Sequence, residues 1–174
     1  MSTTVDVPPV CPIKIDIVTA VDVQKALSNR QLYGSYYMMD NSPFYGFGQG
    51  TADIITACRP GDLLNWKVHQ IDLQTPILLK EVRFFGVEPF RELDPGEHWN
   101  DHLEIEPSEE GTFFPSDHAY AKRWRGRVPL IYPGYLYRYA LKFQMSAGVN
   151  SVMWTNRASL IYANPNSYKY PNQA

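Results

Sequence analysis

Two histidines four residues apart form the pattern in this chain that most resembles a metal site. His98 and His102 enclose Asp101, and two glutamates follow at positions 104 and 106. Histidines at i and i+4 share one face of a helical turn, and a nearby carboxylate would complete a transition-metal site. The pattern lacks the general-base glutamate of a zinc protease, and a solvated acidic loop explains the same spacing. A metal hydrolase is therefore the least favoured function.

Calcium is a second candidate ligand, because loops of this chain carry the oxygen donors that calcium prefers. The candidate residues are Asp40, Asn41, Asp101 and Asp117. Their spacing is not that of an EF-hand. Asp40 and Asn41 come just before Pro43, where turn formation alone accounts for both residue types. Calcium is therefore a candidate cofactor, with a simple turn as the competing interpretation.

Aromatic side chains at predicted loop positions offer a platform for a sugar ring. The loops supply Trp99, Tyr45, Phe113 and Phe114. A small-ligand site combines such apolar surface with a few polar groups that fix orientation. The competing interpretation is that these rings pin long loops to the core. The predicted ligand-binding residues are Trp99, Asp40, Asn41 and Asp117.

A basic run at residues 122–127 places three arginines at alternate positions, so a strand would present them on one face. Such a row can bind phosphate or a sulfated glycan. Pairing with the acids of residues 104–110 within the chain is the favoured account, given the net charge of −2. The formal net charge of −2 lacks the basic excess typical of nucleic-acid-binding proteins, so no nucleic-acid partner is expected.

No motif for covalent catalysis is recognisable. The chain has no Gly-x-Ser-x-Gly sequence, and Cys11 and Cys58 form no spaced motif. Two reduced thiols are the expectation for such cysteines in the cytoplasm. The first residues lack the features of a secretory signal, and no apolar run approaches the roughly 20 residues of a membrane span. We expect a cytoplasmic, non-enzymatic protein without a membrane partner.

The elements that position these residues are predicted to be strands. The chain of 174 residues holds 12 Tyr, 8 Phe and 14 Pro, a composition that favours strands and turns. Residues 13–19 alternate with period two and point Ile13, Ile15 and Ile17 inward, and residues 135–145 alternate in the same way. Asp22 is placed to cap a short helix after the first strand. Pro60 and Gly61 favour a tight turn that joins residues 51–58 and 63–71 as a hairpin.

Seven or eight strands with turns between them predict an all-β fold, an antiparallel β-sandwich with Greek-key connections. The length suits one domain over residues 1–174. Residues 1–12 form an N-terminal arm and residues 164–174 a C-terminal tail. The acidic segment 88–117 shows no period, and its role is unassigned.

Several strings carry a family resemblance that extends from about residue 13 to 163. They are Gly48-Gln49-Gly50-Thr51-Ala52-Asp53, Gly61-Asp62 with Trp66, Phe85-Gly86-Val87 and Tyr137-Arg138-Tyr139-Ala140-Leu141. With these strings the chain resembles the bacterial inclusion-body proteins typified by PixA and AidA. The resemblance implies small cytoplasmic β-sandwich proteins that accumulate late in growth, sometimes under quorum sensing and sometimes as inclusions. It implies no established enzyme activity and no catalytic residues, and carbohydrate binding is suspected for some members.

Together these observations predict a lectin-like binding module for carbohydrate, with calcium assistance as an option. The alternative is a storage protein whose function is self-assembly. Exposed aromatic strands and the Tyr-rich tail favour self-association, most simply as a two-fold dimer.

Overall fold

The computed structural model describes residues 11–72, 74–89, 123–145 and 151–164. No helix in these ranges is long and apolar enough to cross a membrane. The strands and the helix of the described part are β1 (Lys14–Val21), α1 (Val23–Asn29), β2 (Tyr36–Asp40), β3 (Ile55–Cys58), β4 (Leu63–Gln70), β5 (Ile77–Pro89), β6 (Arg123–Arg127), β7 (Tyr135–Met145), β8 (Val152–Trp154) and β9 (Ala158–Tyr162).

The strands form two facing sheets. The first sheet has the order β2-β1-β4-β6, and the second has the order β3-β9-β7-β5 with β8 paired to β7. The predicted all-β sandwich is confirmed, and most pairings are antiparallel. The pairs β1–β4 and β3–β9 are parallel, so both sheets are mixed. The Greek-key connections stay a prediction.

Aromatic rings join the two sheets across the core. Trp66 of β4 meets Tyr139 of β7 edge-on, with ring centroids 5.6 Å apart, and meets Phe84 of β5 at 6.3 Å. Trp66 and Tyr139 are both almost fully buried. A ring pair of this geometry contributes about 0.5–1.5 kcal/mol beyond the burial of its area. These contacts set the position of one sheet on the other.

The local predictions for β1 and α1 are confirmed. Ile15 and Ile17 are fully buried, as the alternation requires, and Ile13 is half-buried. The Asp22 carboxylate accepts a hydrogen bond from the backbone N–H of Lys25 at 3.0 Å, which caps the helix. Arg30 ends the helix in the left-handed conformation, with φ 53°. The chain then turns back towards β2.

The predicted hairpin of residues 51–58 and 63–71 is wrong. β3 lies in the second sheet beside β9, whereas β4 lies in the first sheet between β1 and β6. The turn between them is held to the first sheet by Asp62, whose buried carboxylate accepts from the N–H of Ile13 at 3.0 Å and pairs with Arg59 at 3.2 Å. The chain therefore crosses between sheets at this turn. The strand before it is also shorter than predicted, because it begins only at Ile55.

The alternation in the basic run is confirmed where side chains are described. Arg125 and Arg127 of β6 are exposed. Trp124 is half-buried, and its Nε1–H donates to the carbonyl of Leu79 at 2.8 Å. The acids of residues 104–110 lie outside the described residues.

Three predicted segments fall largely outside the described ranges. The arm is described only at residues 11 and 12, the tail only at residue 164, and the acidic segment only at residues 88 and 89. The assignment of residues 1–174 to one domain stays a prediction.

Candidate functional site

The Asp40 turn, residues 40–42, is the part of the predicted site that the structure describes. The Asp40 carboxylate accepts from the N–H of Ser42 at 3.0 Å and from the hydroxyl of Thr56 at 2.7 Å. The Asn41 side-chain oxygen accepts from the N–H of Asp16 at 2.7 Å. These are the bonds of a structural turn, in line with the competing interpretation. A calcium or ligand role for Asp40 and Asn41 stays a prediction.

The other predicted site residues lie outside the described residues. They are His98, Trp99, Asp101, His102 and Asp117. Within the described ranges, no group of three or more His, Cys, Asp or Glu side chains is arranged to hold a metal ion. The metal and calcium predictions for these residues are therefore untested.

A cavity between the loop after α1 and the β8–β9 connection is a second candidate site in the described part. Its volume is about 340 Å³, within the roughly 300–1,000 Å³ of small-ligand pockets. Its lining combines aromatic rings with planar polar groups. The residues that matter for binding are Arg30, Gln31, Tyr33, Trp154, Asn156 and Arg157.

Arg157 is held at the cavity by two neighbours. Its Nε–H donates to the Asp53 carboxylate at 2.6 Å, and its guanidinium lies over the Tyr33 ring, 5.5 Å from the centroid. The hydrogen bond and the charge of Asp53, followed by smaller contributions from Tyr33, raise the pKa of Arg157 despite some loss of solvation. Arg157 is thus a positioned and permanently charged donor.

Trp154 is fixed from the strand side. Lys142, its cross-strand partner on β7, lies 5.3 Å from the centre of the Trp154 ring, and the Arg83 guanidinium lies 4.8 Å from it. Glu81 pairs with Arg83 at 2.6 Å and with Lys142 at 3.8 Å. Cations near an aromatic face are attracted by its quadrupole. The ring is therefore braced by charged neighbours while it also lines the cavity.

Arg30, Gln31 and Asn156 supply exposed planar groups around the same space. Arg30 has no carboxylate partner among the described residues. Tyr36 lies beneath them, almost fully buried. Burial, reinforced by the negative charge of Asp53, raises the pKa of Tyr36 to about 12. Its hydroxyl is therefore neutral at physiological pH.

The Gly48–Asp53 turn, the Gly-Gln-Gly-Thr-Ala-Asp string of the sequence, positions Asp53. Gly48 has φ 74°, and a Cβ there would come within 2.6 Å of the Asp53 carbonyl oxygen. The N–H of Gly50 donates to the carbonyl of Met38 at 2.7 Å, which ties the turn to β2. The Gln49 side chain accepts from the N–H of Asp40 at 2.9 Å. One turn thus contacts both the Asp40 turn and the ion pair at the cavity.

Sequence reasoning missed the residues of this cavity. Tyr33 stands more than 120 residues before Trp154, Asn156 and Arg157, and no local spacing connects them. The one usable signal was Asn156, which marks a turn between short strands. Tyr45, one of the predicted loop aromatics, is exposed but does not line the cavity.

Of the two cysteines, the buried one is a poor nucleophile. Both are free, Cys11 exposed and Cys58 buried. Burial, with the negative charges of Asp62 and Asp40, raises the pKa of the Cys58 thiol well above its usual range. A buried thiol of high pKa is inert as a nucleophile.

A family model covers most of the chain. The model described as "Domain of unknown function (DUF8788)" matches residues 13–152. No curated protein matches the chain.

Among solved structures, the chain is similar to the crystal structure of an inclusion body protein, PixA, from Burkholderia cenocepacia J2315. The identity is 8%, the alignment covers 88% of this chain and 94% of that chain, and the TM-score is 0.47. The inclusion-body resemblance seen in the sequence thus has a counterpart among solved structures.

Proposed function

Because the chain belongs to the DUF8788 family, whose description names no activity, we propose a function from the geometry: a non-enzymatic module that binds carbohydrate in the cavity beside Trp154. The observation that carries the proposal is the combination of Trp154 and Tyr33 with the amides of Gln31 and Asn156 around one space. Sugars present flat C–H faces and rings of hydroxyl groups. Aromatic surface suits the first, and amide and guanidinium groups suit the second.

The lining also supports the non-enzymatic part of the proposal. It contains no Asp, Glu, His, Cys or Ser side chain among the described residues. General acid–base catalysis uses a group that titrates near the working pH, and nucleophilic catalysis uses a hydroxyl, thiol, amine or carboxylate. The tyrosines are the only titratable acids there, and Tyr36 is held neutral by its surroundings. Binding without chemistry fits this set of groups.

A glycan-array screen of the wild-type protein, repeated with Trp154→Ala and Tyr45→Ala, tests the proposal. Wild type should bind a defined set of sugars. Trp154→Ala should weaken that binding at least tenfold, about 1.4 kcal/mol, because the aromatic surface that lines the cavity is lost. Tyr45→Ala removes an exposed ring outside the cavity and should bind like wild type. Arms with calcium and with EDTA test the predicted calcium assistance.

A blank array for wild type would contradict carbohydrate binding. Equal loss in Trp154→Ala and Tyr45→Ala would place the sugar elsewhere. Circular dichroism of each variant confirms that the fold is intact.

Self-association is a second candidate function, favoured by the outer face of β2. Tyr37 and Met39 are 44% and 47% exposed on this edge strand. Val18 and Ala20 of β1 pair with them in the sheet, so four apolar side chains adjoin. Exposed apolar patches at sheet edges favour association between copies. Sedimentation of the same wild-type sample measures it, and a monomer at all concentrations would contradict it.

A cytoplasmic location belongs to the same proposal. It rests on the two free thiols, which suit a reducing compartment.

A further inference from the structure

We propose that the ligand of this cavity is an acidic sugar, whose carboxylate is bound by Arg157 and Arg30. The inference rests on the proposed function, since it presupposes that the cavity takes a sugar. It adds the charge of the ligand and the residues that select for it.

The charge of the lining carries the first step. Two guanidinium groups, Arg30 and Arg157, line the cavity, and no carboxylate among the described residues does. Asp53 offsets Arg157 from outside the lining, at 2.6 Å. Arg30 is offset by no described ion pair. A net positive charge therefore faces the cavity, in a chain whose formal net charge is −2. A neutral sugar would leave that charge without a counterpart.

The arrangement of Arg157 carries the second step. Its bond to Asp53 uses Nε, and the carbon of its guanidinium lies 5.5 Å from the centre of the Tyr33 ring. A carboxylate is bound most specifically by two parallel N–H groups of a guanidinium, and the terminal nitrogens of Arg157 can supply them. Because Asp53 and Tyr33 already hold the side chain, less conformational freedom is lost when a ligand binds.

Stabilisation of the fold is a weaker explanation for the Asp53–Arg157 pair than positioning of Arg157 for a ligand. The two side chains are 57% and 41% exposed. An exposed pair of this kind contributes little to folding stability, typically about 0–1 kcal/mol. The pair does, however, fix one donor at the mouth of a cavity. Positioning for a ligand accounts for that placement.

Pairs of sugars that differ only in a carboxylate test separately whether the cavity binds a sugar and whether it prefers an acidic one. Isothermal titration calorimetry would compare glucose with glucuronate and galactose with galacturonate, on wild type, Arg157→Gln, Arg30→Gln and Arg125→Gln. For wild type we expect at least one acid to bind at least tenfold more tightly than its neutral partner. Arg157→Gln and Arg30→Gln should each reduce that preference severalfold, with neutral-sugar affinity changed far less. Arg125 is an exposed arginine of β6 outside the cavity, so its variant should keep the preference.

The possible outcomes are distinct. Neutral and acidic sugars bound equally well by wild type would overturn the inference and leave the proposed function standing. No binding of any of the four sugars, together with a blank array, would overturn both. A preference that survives in both cavity variants, or that falls equally in Arg125→Gln, would also overturn it. Arg157→Gln leaves only an exposed Asp53 behind, and Arg30 makes no described ion pair, so both variants should fold.

Discussion

The Asp40 turn and the cavity beside Trp154 both place polar side chains on loops, yet they use those side chains in opposite ways. At the Asp40 turn, the carboxylate and the Asn41 amide accept hydrogen bonds from the chain itself. At the cavity, Gln31, Asn156 and Arg30 face open space. Residue type alone therefore does not make a binding site. What matters is whether the fold has already used the hydrogen-bonding capacity of the residue.

The Gly48–Asp53 turn connects the two regions. It contacts Asp40 through Gln49 and the cavity through Asp53. A change in the backbone of this turn should therefore disturb both regions, whereas a side-chain change within either region should affect that region alone.

The largest effect is expected from Gly48→Ala. Its φ of 74° is strained for alanine, and the new Cβ would meet the backbone of Asp53 at 2.6 Å. Strain and overlap together should lower the free energy of unfolding by about 2–5 kcal/mol. Sugar affinity should fall as well, because Asp53 must move. Urea unfolding and calorimetry measure the two effects.

Gly134→Ala is the matched control for that variant. Gly134 has φ 84°, but its added Cβ would meet no atom within 4 Å. Strain alone should cost about 1–2 kcal/mol, with sugar affinity unchanged. If the two variants are equally stable, the close approach to Asp53 is unimportant.

A smaller effect is expected from Asp40→Ala, which should lower the stability of the protein. Asp53→Ala should instead weaken sugar binding. Without Asp40, the buried hydroxyl of Thr56 loses its acceptor, which should cost about 1–3 kcal/mol of unfolding free energy. Without the exposed Asp53, stability should change by no more than about 1 kcal/mol, while sugar binding weakens because Arg157 is no longer held.

Thermal unfolding and titration calorimetry on both proteins test this contrast. We assign a stabilising role to Asp40 and a binding role to Asp53. Failure of folded Asp40→Ala to bind sugar, or a lower stability of Asp53→Ala than of Asp40→Ala, would contradict that assignment.

The smallest expected effect is on the pH dependence of folding stability, and it comes from Tyr36, which lines the cavity. The pKa of Tyr36 is raised to about 12 in the folded protein, chiefly by burial. An unfolded tyrosine has a pKa of about 10. The folded state keeps a proton that the unfolded state releases, so this contribution to stability is present below about pH 10 and is lost as the pH rises towards 12.

Tyr36→Phe should therefore show a shallower loss of unfolding free energy than wild type between about pH 10 and 12. Some slope should remain, because burial also raises the pKa of Tyr137 and Tyr139. Tyr45→Phe, at an exposed position, serves as the control. Identical slopes for wild type and Tyr36→Phe would show that Tyr36 is more solvated than its position indicates.

The strands could be predicted because their signal is local. Residues 135–145 alternate without interruption, and β7 has these bounds. Asp22 stands at the start of a short amphipathic segment, and it caps α1. In each case neighbours in sequence determine the element, since alternation and capping act within a few residues.

The partners of the strands could not be predicted in the same way. Pro60 and Gly61 do make a turn, but the buried Asp62 binds the N–H of Ile13, 49 residues away. That bond, and the parallel pairing of β1 with β4, send the two flanking strands to different sheets. Turn chemistry determines that the chain reverses, and long-range pairing determines which strand it meets.

The candidate site, too, combines features that local sequence predicts with features that long-range strand pairing determines. Residue types and short spacings are enough to predict an all-β chain with a short capped helix, an inward-facing aromatic core and glycines where the backbone must turn, because each of these features is local. The tertiary fold is needed to bring Tyr33, Trp154 and Arg157 around one cavity, with Asp53 holding Arg157 from outside the lining. Their proximity results from strands that pair across more than a hundred residues, and side chains brought together by such pairing leave no periodic trace along the chain.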